Sequence, residues 1–240
     1  MGAIERWTRR RLSDSLVSAW EWAGRVGVTG ADSAYASRFQ QVGEGTAFGF
    51  PPGTSMGERW IRIGANNLIG PGVVLSAGMW PDEPLVPPRG WALRIGDGCS
   101  IGSDTALVSR IGIDIGDDVT FAPRVYVTDH NHEFAEPDVP IAHQWVVEDP
   151  VTIGSGCWLG LGAVVLPGTN LGRQVAVAAG SVVRGDVADH CVVAGAPARV
   201  IRQWDAATGR WDPPLPEGRG RAAPDLPPGW YEKVAVRRAE

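Results

Sequence analysis

The sequence predicts an all-β solenoid, a parallel β-helix of short strands and tight corners, with an amino-terminal helix and an extended carboxyl-terminal arm. Three observations carry this. Aliphatic residues stand six apart at Ile153, Leu159, Val165, Leu171, Val177 and Val183, and Gly or another small residue follows at 154, 160, 172 and 178. That period does not fit an amphipathic helix, whose apolar positions recur at i, i+3, i+4 and i+7; the repeated glycines and Pro167 argue further against one. Units of the same kind recur upstream, as IGANNL and IGPGVV from Ile63 and as IGDGCS and IGSDTA from Ile95. Each unit turns one aliphatic side chain inward, and stacked units bury a continuous apolar column.

In chain order, Leu12, Leu16, Ala19, Trp20, Ala23 and Val26 recur at helical spacing and predict one amphipathic helix. Its expected place is against the open end of the solenoid; attachment to an anionic surface through Arg6, Arg9, Arg10 and Arg11 is the alternative. Residues 30–60, rich in Gly with Pro51 and Pro52, read as irregular strands and loops. Residues 1–60 thus form an amino-terminal region, and the regular β-helix spans 61–204. Two loops interrupt it. One, at 81–94, is proline-rich and bracketed by Trp80 and Trp91, which suit either packing or stacking on a sugar ring. The other, at 133–149, lacks the repeat. The phase slips by two at Ile113-Asp114 and restarts. Residues 205–240 form a Pro-rich arm whose tryptophans, Trp211 and Trp230, argue against complete disorder.

A chain of 240 residues is long enough for one substantial domain with appendages. The net charge of -5 gives no reason to expect nucleic acid as a partner. Cys99, Cys157 and Cys191 form no CxxC pair and no even-numbered framework; they read as small buried thiols of a cytoplasmic protein. No stretch is apolar enough to form a transmembrane segment. Thr8 to Leu12 resembles a twin-arginine signal, but Asp14, Glu21 and Trp22 break the apolar stretch that should follow.

The candidate chemistry sits where the second loop leaves the coils, at Thr128-Asp129-His130-Asn131-His132. Acyl transfer to a hydroxyl needs a group that takes the hydroxyl proton as the oxygen attacks a thioester carbonyl. A neutral imidazole, with an ordinary pKa of about 6.5, serves near pH 7. Backbone N–H groups on a rigid coil suit the developing oxyanion. His130 and His132 are both candidates, and either Asp129 or Glu148 is placed to orient the ring. His143 and His190 read as ordinary surface or packing residues.

Cys157-Trp158-Leu159-Gly160, VLPGTNLG at 165–172, AAGSVV at 178–183 and AGAPAR at 194–199 resemble the hexapeptide-repeat acyltransferases, nearest to the maltose, galactoside and nodulation-type O-acetyltransferases. The resemblance covers roughly residues 60 to 204. It implies a left-handed β-helix, which periodicity alone does not dictate because parallel crossovers are nearly always right-handed. It implies an acetyl group moved from acetyl-CoA to a hydroxyl of a sugar, polysaccharide or glycolipid, with no metal required. It also implies a homotrimer with each active site between neighbouring subunits. The match, through Ile115 to Val119 and Ala122-Pro123, places the catalytic base on His130, with His132 as runner-up. It places Trp158, Gly160, Ala179 and Arg202 along the cofactor groove. Arg199 and Arg202 suit the CoA phosphates, and Arg184 stands next to the place of a basic residue common in relatives. Leu161 stands where relatives often have a small or hydroxyl residue. Asp104 and Asn131, with Asn66 and Asn67, are the candidates for acceptor contact.

Three other readings remain open on the sequence. A metal enzyme of similar architecture, resembling the γ-type carbonic anhydrases, needs three histidines on its metal, and the His130-x-His132 pair lacks that family's H-x4-H spacing. A non-catalytic scaffold would keep the coils alone. An acyltransferase acting on an amine or another small molecule would keep both coils and base.

Overall fold

The computed structural model describes residues 3–81 and 83–215, with side chains from Arg10 onward. The repeat closes into a solenoid of three parallel sheets, each coil adding one short strand to each sheet. The first sheet contains Gln41–Val42, Ile61–Ile63, Leu93–Ile95, Ile113–Ile115, Val151–Ile153, Asn170–Leu171 and Asp186–Val187. The second carries Ala47–Phe48, Leu68–Ile69, Ser100–Ile101, Thr120–Phe121, Trp158–Leu159, Ala176–Val177 and Cys191–Gly195. The third carries Ser55–Met56, Val74–Ala77, Ala106–Ser109, Tyr126–Thr128, Val164–Val165 and Val182–Val183.

The register turns the hexapeptide aliphatics into vertical columns. Ile63, Ile95, Ile115, Ile153, Leu171 and Val187 stack in the first sheet. Phe48, Ile69, Ile101, Phe121, Leu159, Val177 and Val193 stack in the second. Leu75, Leu107, Val127, Val165 and Val183 stack in the third. All are buried and belong to one core, as stacking of units that cannot bury an apolar face alone requires.

The outward positions of the same strands differ by sheet. The first sheet presents Arg62, Arg94, Asp114, Thr152, Asn170 and Asp186, with Arg94 donating to Asp114 at 2.6 Å. The third presents Val74, Ala106, Tyr126, Val164 and Val182, half-buried or exposed.

The first coil begins at Gln41, ahead of the point where the pattern becomes regular, because Val42 and Phe48 already pair in register with Ile63 and Ile69. Helix α1 spans Ala3–Val26, but it does not lie along the coil end as its spacing predicts. Leu12, Leu16, Val17, Trp20, Trp22 and Val26 are exposed; Trp20 meets Phe50 at 6.0 Å between ring centroids. After the last coil the chain reverses. Ala198–Asp205 pairs antiparallel with Cys191–Gly195, and Arg210–Asp212 with Ala198–Asp205, so the arm starts as a strand on the second sheet. Trp204 and Trp211 face each other there at 5.7 Å. Trp230 and the remainder of the arm lie outside the described residues. Among the described residues no helix is long and apolar enough to cross a membrane.

Cys99, Cys157 and Cys191 are buried and free, at the corner between first and second sheets. Burial pushes the Cys99 thiol up to about 11, so it stays protonated and is no nucleophile near neutral pH.

Candidate active site

Both long excursions leave the solenoid at one corner, between third and first sheets. Residues 78–92 leave after Ala77 and residues 129–150 after Thr128. Between them lies the tight turn Ser109-Arg110-Ile111-Gly112. The second excursion is a hairpin. His130–His132 pairs antiparallel with Val146–Glu148, so His130 stands opposite Glu148 and Asn131 opposite Val147. The solenoid resumes at Val151, in register with Ile113.

Asp129 is the pivot. Its carboxylate is 0% exposed and caps the turn one coil below, accepting the backbone N–H of Arg110 at 2.8 Å, Ile111 at 2.8 Å and Gly112 at 2.7 Å. It also accepts from the Ser109 hydroxyl at 2.7 Å, and its Oδ1 lies 2.9 Å from His130 Nδ1. Burial pulls its pKa upward, but the hydrogen bonds from His130, Gly112, Ser109 and Arg110 outweigh that and hold it below the ordinary carboxylate value. An ionised carboxylate only accepts hydrogen bonds. In the neutral imidazole the His130 proton therefore sits on Nδ1, which leaves the lone pair on Nε2.

Of the two carboxylates open on the sequence, Asp129 orients the ring. Glu148 pairs instead with Arg110, which also donates to Glu83 of the first excursion at 2.8 Å. The Arg110 guanidinium lies 4.9 Å from the Trp145 ring centroid. Glu83 is buried and anchors its own loop by accepting the Met79 N–H at 2.7 Å. Arg110 thus ties the two excursions together. Sequence inspection did not single out Arg110; the available signal was its place nearly one coil, 19 residues, before Asp129.

His130 is half-buried, whereas His132 and Asn131 are exposed on the hairpin. Trp158 stands outward on the second sheet, 48% exposed, between Thr120 and Ala176. Gly160 and Ala179 stack at the corner between second and third sheets. A Cβ on Gly160 would meet the Ala179 nitrogen at 2.5 Å, so only glycine lets these coils approach. Arg199 is exposed, and Arg202 donates to the carbonyls of Pro213 and Pro214. These residues lie across the third sheet from His130 in the same chain, whereas Arg184 occupies the corner of His130. Asp104 lies at the corner between second and third sheets, 3.9 Å from Arg124. Asn67 is fully buried and spent on structure, donating to the Gly96 carbonyl and accepting the Cys99 N–H; it is unavailable to an acceptor. Asn66 occupies a positive-φ corner. Trp91 is buried, whereas Trp80 is exposed. Among the described residues no group of three or more His, Cys, Asp or Glu is placed to hold a metal ion.

A family model described as the hexapeptide repeat of succinyl-transferase matches residues 92–128 and 150–184, the coils on either side of the His130 hairpin. These two stretches therefore carry hexapeptide repeats of the kind that model describes. A probable acetyltransferase of Mycobacterium tuberculosis is 32% identical over 153 residues, 62% of this chain and 45% of that protein. A putative lipopolysaccharide biosynthesis O-acetyl transferase of Escherichia coli is 34% identical over 48% of this chain and 63% of its own length. The galactoside O-acetyltransferase of the same organism is 30% identical over 52% and 60%. The repeat chain thus spans between about half and three-fifths of the length of these relatives. In structure it resembles an N-acyltransferase of Bacillus cereus, solved with dTDP and coenzyme A, at a TM-score of 0.59 and 21% identity over 73% of this chain and 91% of that one. That likeness speaks to the fold alone.

Proposed function

We propose that this hexapeptide-repeat chain is an acetyl-CoA-dependent O-acetyltransferase, a left-handed β-helix acting on a hydroxyl of a sugar, polysaccharide or glycolipid, with His130 as general base. The observation that carries the reading is the Asp129–His130 pair at the mouth of the hairpin, in a chain whose relatives include a galactoside and a lipopolysaccharide-biosynthesis O-acetyltransferase. Nε2 of His130 takes the proton of the acceptor hydroxyl as its oxygen attacks the thioester carbonyl. The tetrahedral intermediate collapses with cleavage of the carbon–sulfur bond, and the departing sulfur takes the proton back from Nε2. Asp129 stays ionised and stabilises the imidazolium formed in between.

Trp158, Gly160, Ala179, Arg199 and Arg202 are assigned to acetyl-CoA. Because the third sheet separates them from His130, a complete site is best assembled between copies in a homotrimer. The apolar outward column Val74, Ala106, Tyr126, Val164 and Val182, half-buried except for the exposed Tyr126, supports such an assembly, since a contiguous apolar stripe left open on a sheet face suits an interaction surface. In that arrangement Asp104, Asn131 and Arg184 contact acceptor or cofactor at the joint, and His132 lies beside the base.

The test is calorimetric titration with acetyl-CoA, followed by an acceptor screen of hydroxyl and amine compounds with wild type and His130→Ala. Saturable binding is expected, retained by the variant, with turnover reduced about 100- to 10,000-fold on a hydroxyl acceptor. Full turnover by His130→Ala, or a folded chain that does not bind acetyl-CoA, overturns the assignment. Turnover on amines alone transfers it to N-acylation.

A further inference from the structure

The third–first corner holds more than the base. Below the hairpin, the 78–92 excursion and the turn at 57–60 enclose a cleft of about 340 Å³. Its walls include Trp60 and Trp80, Arg38 and Arg59, and Glu58 and Glu83. Trp80 is 44% exposed and offers a free aromatic face. The charges are engaged. Arg38 pairs with Glu58, Arg59 donates to the Glu83 carbonyl at 3.2 Å and lies 5.5 Å from the Trp60 ring centroid, and the Glu83 carboxylate pairs with Arg110. Among the described residues, then, the cleft offers an indole surface and oriented hydrogen-bonding groups, and its two arginines, Arg38 and Arg59, are balanced by two glutamates, Glu58 and Glu83. An aromatic face with a few placed polar groups and no net lining charge suits a neutral polyhydroxylated ring.

The position of the cleft sets the size of its ligand. Glu83 belongs both to the cleft wall and, through Arg110, to the cluster that holds Asp129 and His130. The corner climbs one coil at a time, from 57–60 to 78–92, then 109–112, then the hairpin. At about 4.8 Å per coil, the cleft lies roughly 10–15 Å from the level of His130. One pyranose ring does not span that distance.

We propose that the Trp80–Arg59 cleft is a remote acceptor subsite that binds a neutral glycosyl unit, so that the acceptor is an oligosaccharide or the glycan part of a larger molecule rather than a free monosaccharide. The inference rests on the acetyltransferase reading and sharpens its acceptor. Binding energy gained at such a subsite positions a distant hydroxyl at the base.

Saturation-transfer NMR on the full chain tests it, using glucose, galactose, N-acetylglucosamine and their neutral oligosaccharides of two to six units, with glucose 1-phosphate as the anionic probe. Acetyl-CoA affinity is measured calorimetrically in parallel. At least one oligosaccharide series is expected to bind ten-fold or more tightly than its monosaccharide. Trp80→Ala should remove at least ten-fold of that affinity, Trp80→Phe should restore most of it, and Arg59→Ala, at another lining position, should weaken it several-fold. Affinity independent of chain length overturns the proposal, as does unchanged binding in a folded Trp80→Ala chain, or tighter binding of glucose 1-phosphate than of every neutral sugar. So does the absence of any oligosaccharide binding by protein that binds acetyl-CoA. If Trp80-dependent oligosaccharide binding appears in a chain that ignores acetyl-CoA, the subsite stands and the transferase reading falls.

Discussion

Two corners of the solenoid use one device to different ends. Between first and second sheets, a short polar side chain of several coils accepts a backbone N–H from the coil below. Asp97 takes the Ala65 N–H at 2.7 Å, Asp117 that of Asp97 at 2.9 Å, and Ser155 that of Asp117 at 3.0 Å. Asp97 and Asp117 are exposed, and each satisfies one donor here. Between third and first sheets, Asp129 performs the same service for the coil below, but it is wholly buried, takes three N–H groups and a hydroxyl, and its Oδ1, which already accepts the Arg110 N–H, also reaches His130. A structural cap, moved inward and given more donors, becomes a fixed negative charge behind an imidazole. The repeat supplies the rigidity that the proposed general base needs.

The largest expected effect comes from breaking that second cap. Asp129→Ala leaves three N–H groups without their acceptor and should cost about 3 kcal/mol or more, each orphaned donor contributing about 1–3 kcal/mol when buried. It should also depress turnover, because Nδ1 loses its orienting partner. Urea unfolding and steady-state rates measure both, and a loss under 1 kcal/mol would contradict the burial described here. The same residue sets a pH signature. Its folded pKa lies below the unfolded value of about 3.9, so its stabilisation is complete above that value and drains away as pH falls through the folded pKa. Wild type should lose stability on acidification below about pH 4, more steeply than Asp129→Asn does.

Next in size is Arg110→Met. Removing the guanidinium leaves Glu83 and Glu148 facing each other without their shared cation, at a cost of about 2 kcal/mol in these partly buried surroundings. Faster hydrogen exchange at 78–92 and 133–148, with the coils unchanged, would report untying of the excursions; uniform exchange across both would refute the tie. At the first corner, Asp117→Ala should cost about 0.5–1 kcal/mol, the net worth of one hydrogen bond at an exposed site. The smallest effect belongs to Arg94→Ala on the outer face of the first sheet, where a surface ion pair contributes a few tenths of a kcal/mol and fades with salt. If Asp117→Ala matched Asp129→Ala in melting experiments, the contrast between corners would dissolve.

The coils were legible because their information is periodic. Ile153, Leu159 and Val165 each project into one of three columns, and six-residue spacing states this without reference to anything distant. Even the first coil left a trace in Val42-Gly43 and Phe48-Gly49, obscured by the turn at 58–60 that breaks the count. The site was less legible because its contacts run between coils. Arg110 and Asp129 are 19 residues apart, a spacing that coil length predicts. Arg110 and Glu148 are 38 apart, with a hairpin of irregular length between, and no period connects them. Asn67 illustrates the converse error: an amide at a corner looks available to ligand until stacking buries it under Gly96 and Cys99. Helix α1 was legible as a helix from its spacing, but spacing does not say what lies opposite a stripe.

The resumption of the solenoid at Val151, level with Ile113, has a further meaning. The fold keeps count in coils rather than in residues, so the hairpin can lengthen, shorten or change its tip without shifting any strand of the core by a single position. Its root is pinned by Asp129 and Arg110, with Trp145 over the Arg110 guanidinium, while Phe134 and Ile141 stand out in solvent farther along the loop. The tip and the root of the hairpin are therefore on separate mountings, and exchanging residues 134–143 for another loop should leave the Asp129–His130 pair and the register of the coils at their post.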